Sequence, residues 1–282
     1  MSSTHRERSD RCPGALRPWA ADDGLLVRLR LIGGRVSATS VRSLMEVAEE
    51  YGDGRIHLTS RTNLQVRALP SCDGRLPDEV LAAVEATGLL PSRAHDLVRN
   101  VMVSPQTGLA GGRVDLRPTA TALDAALLAE PRFGELPGRF LFVLDDGRGD
   151  LVDRSCDLGL VAIDDRSAQL RIGDGYGPIV ALDRVAAELA GLALQFLGAR
   201  GGGPTAPWHV RELTSDLVPE SAADPRLPTG IGPLAYGDVP GGHHVEVPDG
   251  LLDRAFVDTL TSTSDVLIVT PWHGVLVPKE AG

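Results

Sequence analysis

The run from Ile56 to Ala68 alternates in a way that restricts its fold more than any other feature of this 282-residue chain. Ile56, Leu58, Leu64, Val66 and Ala68 are apolar or small, while His57, Thr59, Asn63, Gln65 and Arg67 are polar. A period of two on both sides of Ser60 and Arg61 predicts a hairpin of antiparallel strands with one face buried. The opposite face carries imidazole, hydroxyl, amide and guanidinium groups, all hydrogen-bond donors, where a plain solvated strand usually shows Lys, Glu and Thr. Arg61 stands at the bend, and the planar fork of an arginine matches a carboxylate bidentately.

The elements around this hairpin form a small α+β unit. Leu25 to Leu31 alternates, with Arg28 and Arg30 on one face, and Gly33-Gly34 supplies a turn. Ser37, Thr39 or Ser40 can cap a helix running to Tyr51, with Gly52 just past its end, and a second helix is expected from Asp78 to Thr87. The following segment reads as a helix near Ala120 to Ala129, strands at Phe140 to Leu144, Leu158 to Ile163 and Gln169 to Ile172, and a long helix over Val180 to Leu197. The glycine-rich run Gly198 to Pro207 is the clearest linker. From Gly242 to Pro278 the chain reads strand, helix, strand, turn, strand, and VTPWHGVLVP lies over LTSRTNLQVRALP, so a two-fold internal repeat is predicted. Trp272 and His273 stand where the first copy has Arg61.

These residues resemble a known family. LTSRTNLQ at Leu58 to Gln65 has the form of the T-(S/N)-R-x-x-x-Q motif of the nitrite and sulfite reductase ferredoxin-like half-domain superfamily. CPGALRPW at Cys12 to Trp19, GLLVRLRLIGG at Gly24 to Gly34, RNVMVSP at Arg99 to Pro105 and LPGRF at Leu136 to Phe140 follow in that family's order. The CPG opening and the DDGRGD run at Asp145 to Asp150 are most similar to its precorrin-3B synthase branch. The resemblance implies two ferredoxin-like half-domain repeats, each a sheet with helices on one face, flanking a sirohaem-domain-like α/β segment. The expected organisation is a disordered tail at 1–11, a first half domain at 12–92, the α/β segment at 93–200, a linker at 201–228 and a second half domain at 229–282. It also implies that Arg28, Arg61, Arg99 and Arg139 converge on a tetrapyrrole bearing many carboxylates, with His57, Thr59, Gln65 and Asn100 as further contacts. Leu141 stands where sulfite reductases place a second lysine that helps deliver protons, so holding a polycarboxylate is expected here and proton delivery to sulfite or nitrite is not.

Composition narrows the partners. With 28 basic and 38 acidic residues the formal charge is -10, which is poorly suited to binding nucleic acid through its phosphates. The chain is 43% hydrophobic without an apolar run of membrane length, and MSSTHRERSDR has no signal-peptide core, so a cytoplasmic location is expected. Cys12, Cys72 and Cys156 lie far apart, which predicts reduced thiols, at least two of them buried. The family's 4Fe-4S cluster needs four thiolates, in a domain that follows the second repeat, and the sequence shows no such set before its end at Gly282. His209, His243, His244 and His273 have no metal-ligand spacing, because adjacent strand residues such as His243 and His244 face opposite ways.

The expected function is the tetrapyrrole-binding portion of a precorrin-3B synthase-like oxidoreductase of aerobic cobalamin biosynthesis, with the redox centre supplied by a separate or lost cluster domain. The alternatives are a sirohaem-dependent nitrite or sulfite reductase remnant and a non-catalytic tetrapyrrole-binding protein.

Overall fold

The computed structural model describes residue 10 and residues 12–203 and 205–279, so the expected tail lies outside the described residues except for Asp10. The chain begins with β1 (Trp19–Ala21), β2 (Gly24–Leu29), β3 (Arg35–Ser37), α1 (Ala38–Tyr51), β4 (Ile56–Leu58), β5 (Leu64–Leu69) and α2 (Asp78–Ala86). Ser37 is the residue that caps α1, its Oγ accepting from Ser40 N at 3.0 Å. The central segment holds β6 (Val101–Val103), α3 (Arg117–Ala129), β7 (Phe142–Asp145), β8 (Leu158–Ala162), β9 (Ser167–Ile172), β10 (Gly175–Ala181) and α4 (Val185–Arg200). The last segment holds β11 (Gly237–Val239), β12 (Gly242–Glu246), β13 (Leu251–Leu252), α5 (Arg254–Thr263), β14 (Val266–Val269) and β15 (Gly274–Pro278).

Among the described residues, three sheets of five strands form, in the orders β1-β2-β5-β4-β13, β10-β9-β8-β7-β6 and β11-β12-β15-β14-β3. The first and third are copies of one pattern that have exchanged an edge strand. β3 pairs antiparallel with β14, and β13 pairs antiparallel with β4. One apolar core accordingly runs through both, from Val27, Leu44 and Val66 to Val257, Leu267 and Val275. The repeat extends to the turns. Thr59 N donates to Asn63 O at 3.0 Å, Thr270 N donates to Gly274 O at 2.9 Å, and Thr62 and His273 hold matching φ values of 57° and 55°.

Several boundaries differ from the sequence-based expectation. The long helix starts at Val185, not Val180, because Gly175–Ala181 pairs with β9 and Pro178 has no amide hydrogen to give a helix. β2 ends at Leu29, where Arg30 and Leu31 turn to side-chain and loop partners. Ala68 leaves the buried stripe: it sits at φ 56° beside the register shift between Leu25 and Val27, a bulge that passes the inward position to Leu69. Among the described residues, no helix is long and apolar enough to cross a membrane.

The DDGRGD run forms a loop closed by its own carboxylates. Asp145 accepts from Gly147 N, Gly149 N and Leu151 N, and Asp146 holds Arg148 through two hydrogen bonds of 2.8 and 2.7 Å. Asp150 accepts from Ser104 Oγ at 2.7 Å, yet burial, then the neighbouring Asp145 charge, push its carboxyl up to about 7. The folded protein thus binds this proton more tightly than the unfolded chain does. Its contribution to stability is complete below the ordinary aspartate range and disappears as the pH rises through about 7. Urea midpoints measured between about pH 5 and pH 8 are expected to fall with rising pH, and Asp150→Asn should flatten that slope.

Candidate functional site: an arginine-lined cavity

The face of the first sheet opposite α1 and α2 opens onto a cavity of about 630 Å³. Its wall follows from strand register. Trp19 is paired with Leu26 and Arg28 with Gln65 across neighbouring strands, so these four side chains share one face while Val27, Leu29, Leu64 and Val66 point into the core. Thr59, Ser60 and Arg61 from the β4–β5 bend close one side, and Cys12, Pro13, Arg139 and Trp208 complete the lining.

Two buried amides set the geometry of the bend and of Arg139. Asn63 Oδ1 accepts from Leu31 N at 3.0 Å, and its Nδ2 donates to Asn100 Oδ1 at 3.1 Å. Asn100 Nδ2 donates to the carbonyls of Gly138 and Phe140 at 2.9 and 3.3 Å, gripping the backbone on either side of Arg139. Thr59 Oγ1 accepts from Asn63 N at 3.0 Å, which braces the turn that carries Arg61. Arg61 Nη1 then donates to Arg139 O at 3.1 Å, and the Arg139 guanidinium lies 5.2 Å from the centre of the Trp208 ring. With the Gln65 amide turned so that its oxygen faces Arg28, that oxygen accepts from Nη2 at 2.8 Å and Nε at 3.0 Å.

The electrostatics are those of an anion site. Among the described residues, no carboxylate lies within ion-pair distance of Arg28, Arg61 or Arg139. Burial pushes the Arg28 guanidinium below its ordinary value, Arg61 and Arg139 push the same way, and Cys12 and Asp10 oppose them. Cys12 is a buried thiol whose pKa is raised, first by desolvation and then by the Asp10 charge.

Of the residues expected at the site, Arg28, Thr59, Arg61, Gln65 and Arg139 line this cavity. Three do not. His57 Nε2 pairs with Asp53 Oδ2 at 2.7 Å on β4. Asn100 is wholly buried as the backbone clamp just described. Arg99 is held by both oxygens of Asp124, at 2.6 and 2.9 Å, and lines a different hollow of about 450 Å³ with Arg30, Arg35 and Arg117. The four-arginine convergence is therefore a three-arginine one. In the second hollow Arg117 is paired with Asp115, and Arg30 donates to the carbonyls of Asp96 and Pro13 with its Nε buried and unpartnered. Sequence reasoning passed over Trp19 and Trp208 as site residues, and no local pattern marks them, since they come to the cavity from positions 189 residues apart.

A polycarboxylate macrocycle fits what is present: three guanidiniums with no carboxylate in direct ion-pair contact among the described residues, Asp10 acting on Arg28 only as a nearby charge, two indoles and a broad hollow. An iron–sulfur cluster does not fit the described residues. Cys12 and Cys156 are buried, Cys72 is exposed, and among the described residues no group of three or more Cys, His, Asp or Glu side chains is placed to hold a metal ion.

The family model described as "Nitrite/Sulfite reductase ferredoxin-like half domain" matches residues 20–73. Over these residues the chain is similar to a ferredoxin-like half domain of the nitrite/sulfite reductase type. That half domain supplies β2, the β4–β5 bend and most of the cavity's first wall. The chain is 30% identical over 146 residues to a precorrin-3B synthase from a Sinorhizobium species, covering 50% of this chain and 29% of that protein. It is also 30% identical over 147 residues to a ferredoxin–nitrite reductase from Leptolyngbya laminosa, covering 50% and 28%. Among solved structures, the Mycobacterium tuberculosis NirA protein superposes with a TM-score of 0.67 at 17% identity, over 97% of this chain and 59% of that one. That likeness is one of fold. The matches span under a third of the length of these curated relatives.

The division between binding and structural arginines is measurable in the unliganded protein. Arg99→Ala leaves Asp124 unpaired and is expected to cost about 3 kcal/mol in urea unfolding. Arg61→Ala relieves repulsion among like charges and should leave the midpoint unchanged or slightly raised, within about 0.5 kcal/mol.

Proposed function

We propose that this chain is the tetrapyrrole-binding part of a precorrin-3B synthase-like oxidoreductase, which hydroxylates precorrin-3A and forms a lactone on it in aerobic cobalamin biosynthesis. The observation that carries the proposal is the meeting of Arg28, Arg61 and Arg139 around one cavity without carboxylate partners among the described residues. The likeness to a precorrin-3B synthase supports the choice of branch.

In this reading each residue has a binding task. Arg61 and Arg139, joined side by side, take one edge of the macrocycle by its carboxylates, and Arg28, held by Gln65, takes another. Trp19 and Trp208 supply flat apolar surface for the ring, and closing it in excludes water and strengthens each charge-assisted bond. A sirohaem or an iron–sulfur centre would supply electron transfer, and the cluster would come from thiolates outside the described residues, in another domain or chain.

A sirohaem-dependent nitrite or sulfite reductase is the second reading, favoured by the likeness to a ferredoxin–nitrite reductase and by the NirA-like fold. A carrier that binds the macrocycle without turning it over is the third.

Absorbance titration of the purified chain with sirohaem and with precorrin intermediates distinguishes them. The proposal expects saturable binding of precorrins. Arg61→Ala and Arg139→Ala should each weaken it about 10- to 100-fold, the equivalent of one lost charge-assisted hydrogen bond of about 1.5–3 kcal/mol. Binding unaffected by either substitution rules the site out. Preference for sirohaem over precorrins moves the assignment to the reductase reading, and precorrin binding without turnover in the presence of cluster proteins and an electron donor moves it to the carrier.

A further inference from the structure

Arg61 and Arg139 also line a small hollow of about 20 Å³ that continues behind the main cavity, where they meet Leu141, Asp157 and His209. Asp157 is buried and its carboxylate is fixed by the main chain, accepting from Leu141 N at 2.9 Å and from Val210 N at 3.1 Å. His209 Nδ1 lies 3.2 Å from Asp157 Oδ1 and 3.4 Å from Oδ2. A carboxylate only accepts hydrogen bonds, so Nδ1 carries the hydrogen and the lone pair sits on Nε2. No hydrogen-bond partner faces Nε2 among the described residues. An anchored acid that orients a free imidazole nitrogen is the arrangement by which proteins hold a proton-transfer group at a chosen atom.

The charges facing His209 come from every side of the hollow. Arg61 and Arg139 oppose a further positive charge, Asp157 favours one, and Arg211 is occupied by Asp174 at 3.0 Å. Cys156, also in the lining, is a neutral thiol whose pKa burial pushes up to about 11. Balance among these groups changes when an anion settles on Arg61 and Arg139, since it cancels the cations that oppose the imidazolium.

We propose that His209 is the proton-carrying residue of the arginine cavity, so that a ligand carboxylate held by Arg61 and Arg139 binds together with one proton at His209 Nε2. The inference rests on the macrocycle reading. The step is a single proton transfer from solvent to Nε2. Asp157 stabilises the resulting imidazolium through Nδ1–H, and no other bond is made or broken. Asp157 is a positioning residue, and His209 shares the small hollow with the two arginines that would hold the ligand edge.

Isothermal titration calorimetry of the whole chain with sirohaem, at about pH 7 in buffers of low and high ionisation enthalpy, counts the protons taken up. The wild type should take up measurably more protons than His209→Gln, while the variant binds within about 3-fold of wild type. Asp157→Asn should lower the uptake as well, with binding retained. Thermal melts of both variants confirm that the fold is intact, and because the readout is a difference in proton count, a residue that merely staples the 208–212 segment would not move it. Equal counts in wild type and His209→Gln, with binding intact, overturn the role of His209 alone. Where sirohaem does not bind, the same titration is run with a precorrin, and failure of the wild type to bind either one overturns this inference together with the macrocycle reading.

Discussion

A single buried contact between two amides, Asn63 to Asn100, holds the cavity together. One asparagine belongs to the hairpin bend beside Arg61, and the other grips the backbone on both sides of Arg139. Both are fully buried, so each unmet donor or acceptor would cost the full desolvation of a polar group. That cost is what makes the first sheet dock on the central one in a single register. Ile32 extends the junction by bridging to Val101, and Gly33 N donates to Val101 O at 2.8 Å. Without this junction Arg61 and Arg139 would belong to two separate surfaces.

The arrangement stores repulsion that only a ligand relieves. Many arginines in this acidic chain have found carboxylates, as Arg99 has Asp124 and Arg148 has Asp146. The three in the cavity are turned instead toward an amide, a carbonyl and an indole, partners that satisfy some of their hydrogen bonds without cancelling their charge. Arg28 is partly buried, and like charges held close together without a direct carboxylate partner cost stability until an anion binds. The strand exchange between the two repeats supplies a stiff platform on which such strain can be held, because neither half has a core of its own.

Much of this was legible in the linear sequence. The hairpin declared itself by alternation, α1 by its cap and apolar spacing, and the second repeat by overlap with the first. Arg28, Arg61, Gln65 and Arg139 were named from their motifs and meet in one hollow. Arg99 and Asn100 were misjudged because the same motif positions serve binding or bracing, and the choice depends on Asp124 and Gly138, which lie 25 and 38 residues away. Strand exchange was hidden as well, since β3 and β13 are three and two residues long and carry no period of their own.

Local chemistry therefore determined the α+β class, the repeat and the basic character of one sheet face, because alternation, caps and turn residues act over a few neighbouring positions. Only the tertiary structure decided which arginines share a cavity, brought Trp19 and Trp208 to its walls, and set His209 on Asp157 behind Arg61 and Arg139. These are meetings between residues tens to more than a hundred positions apart. They are selected by buried hydrogen bonds that must all be satisfied at once, and no short stretch of sequence contains both partners of such a bond.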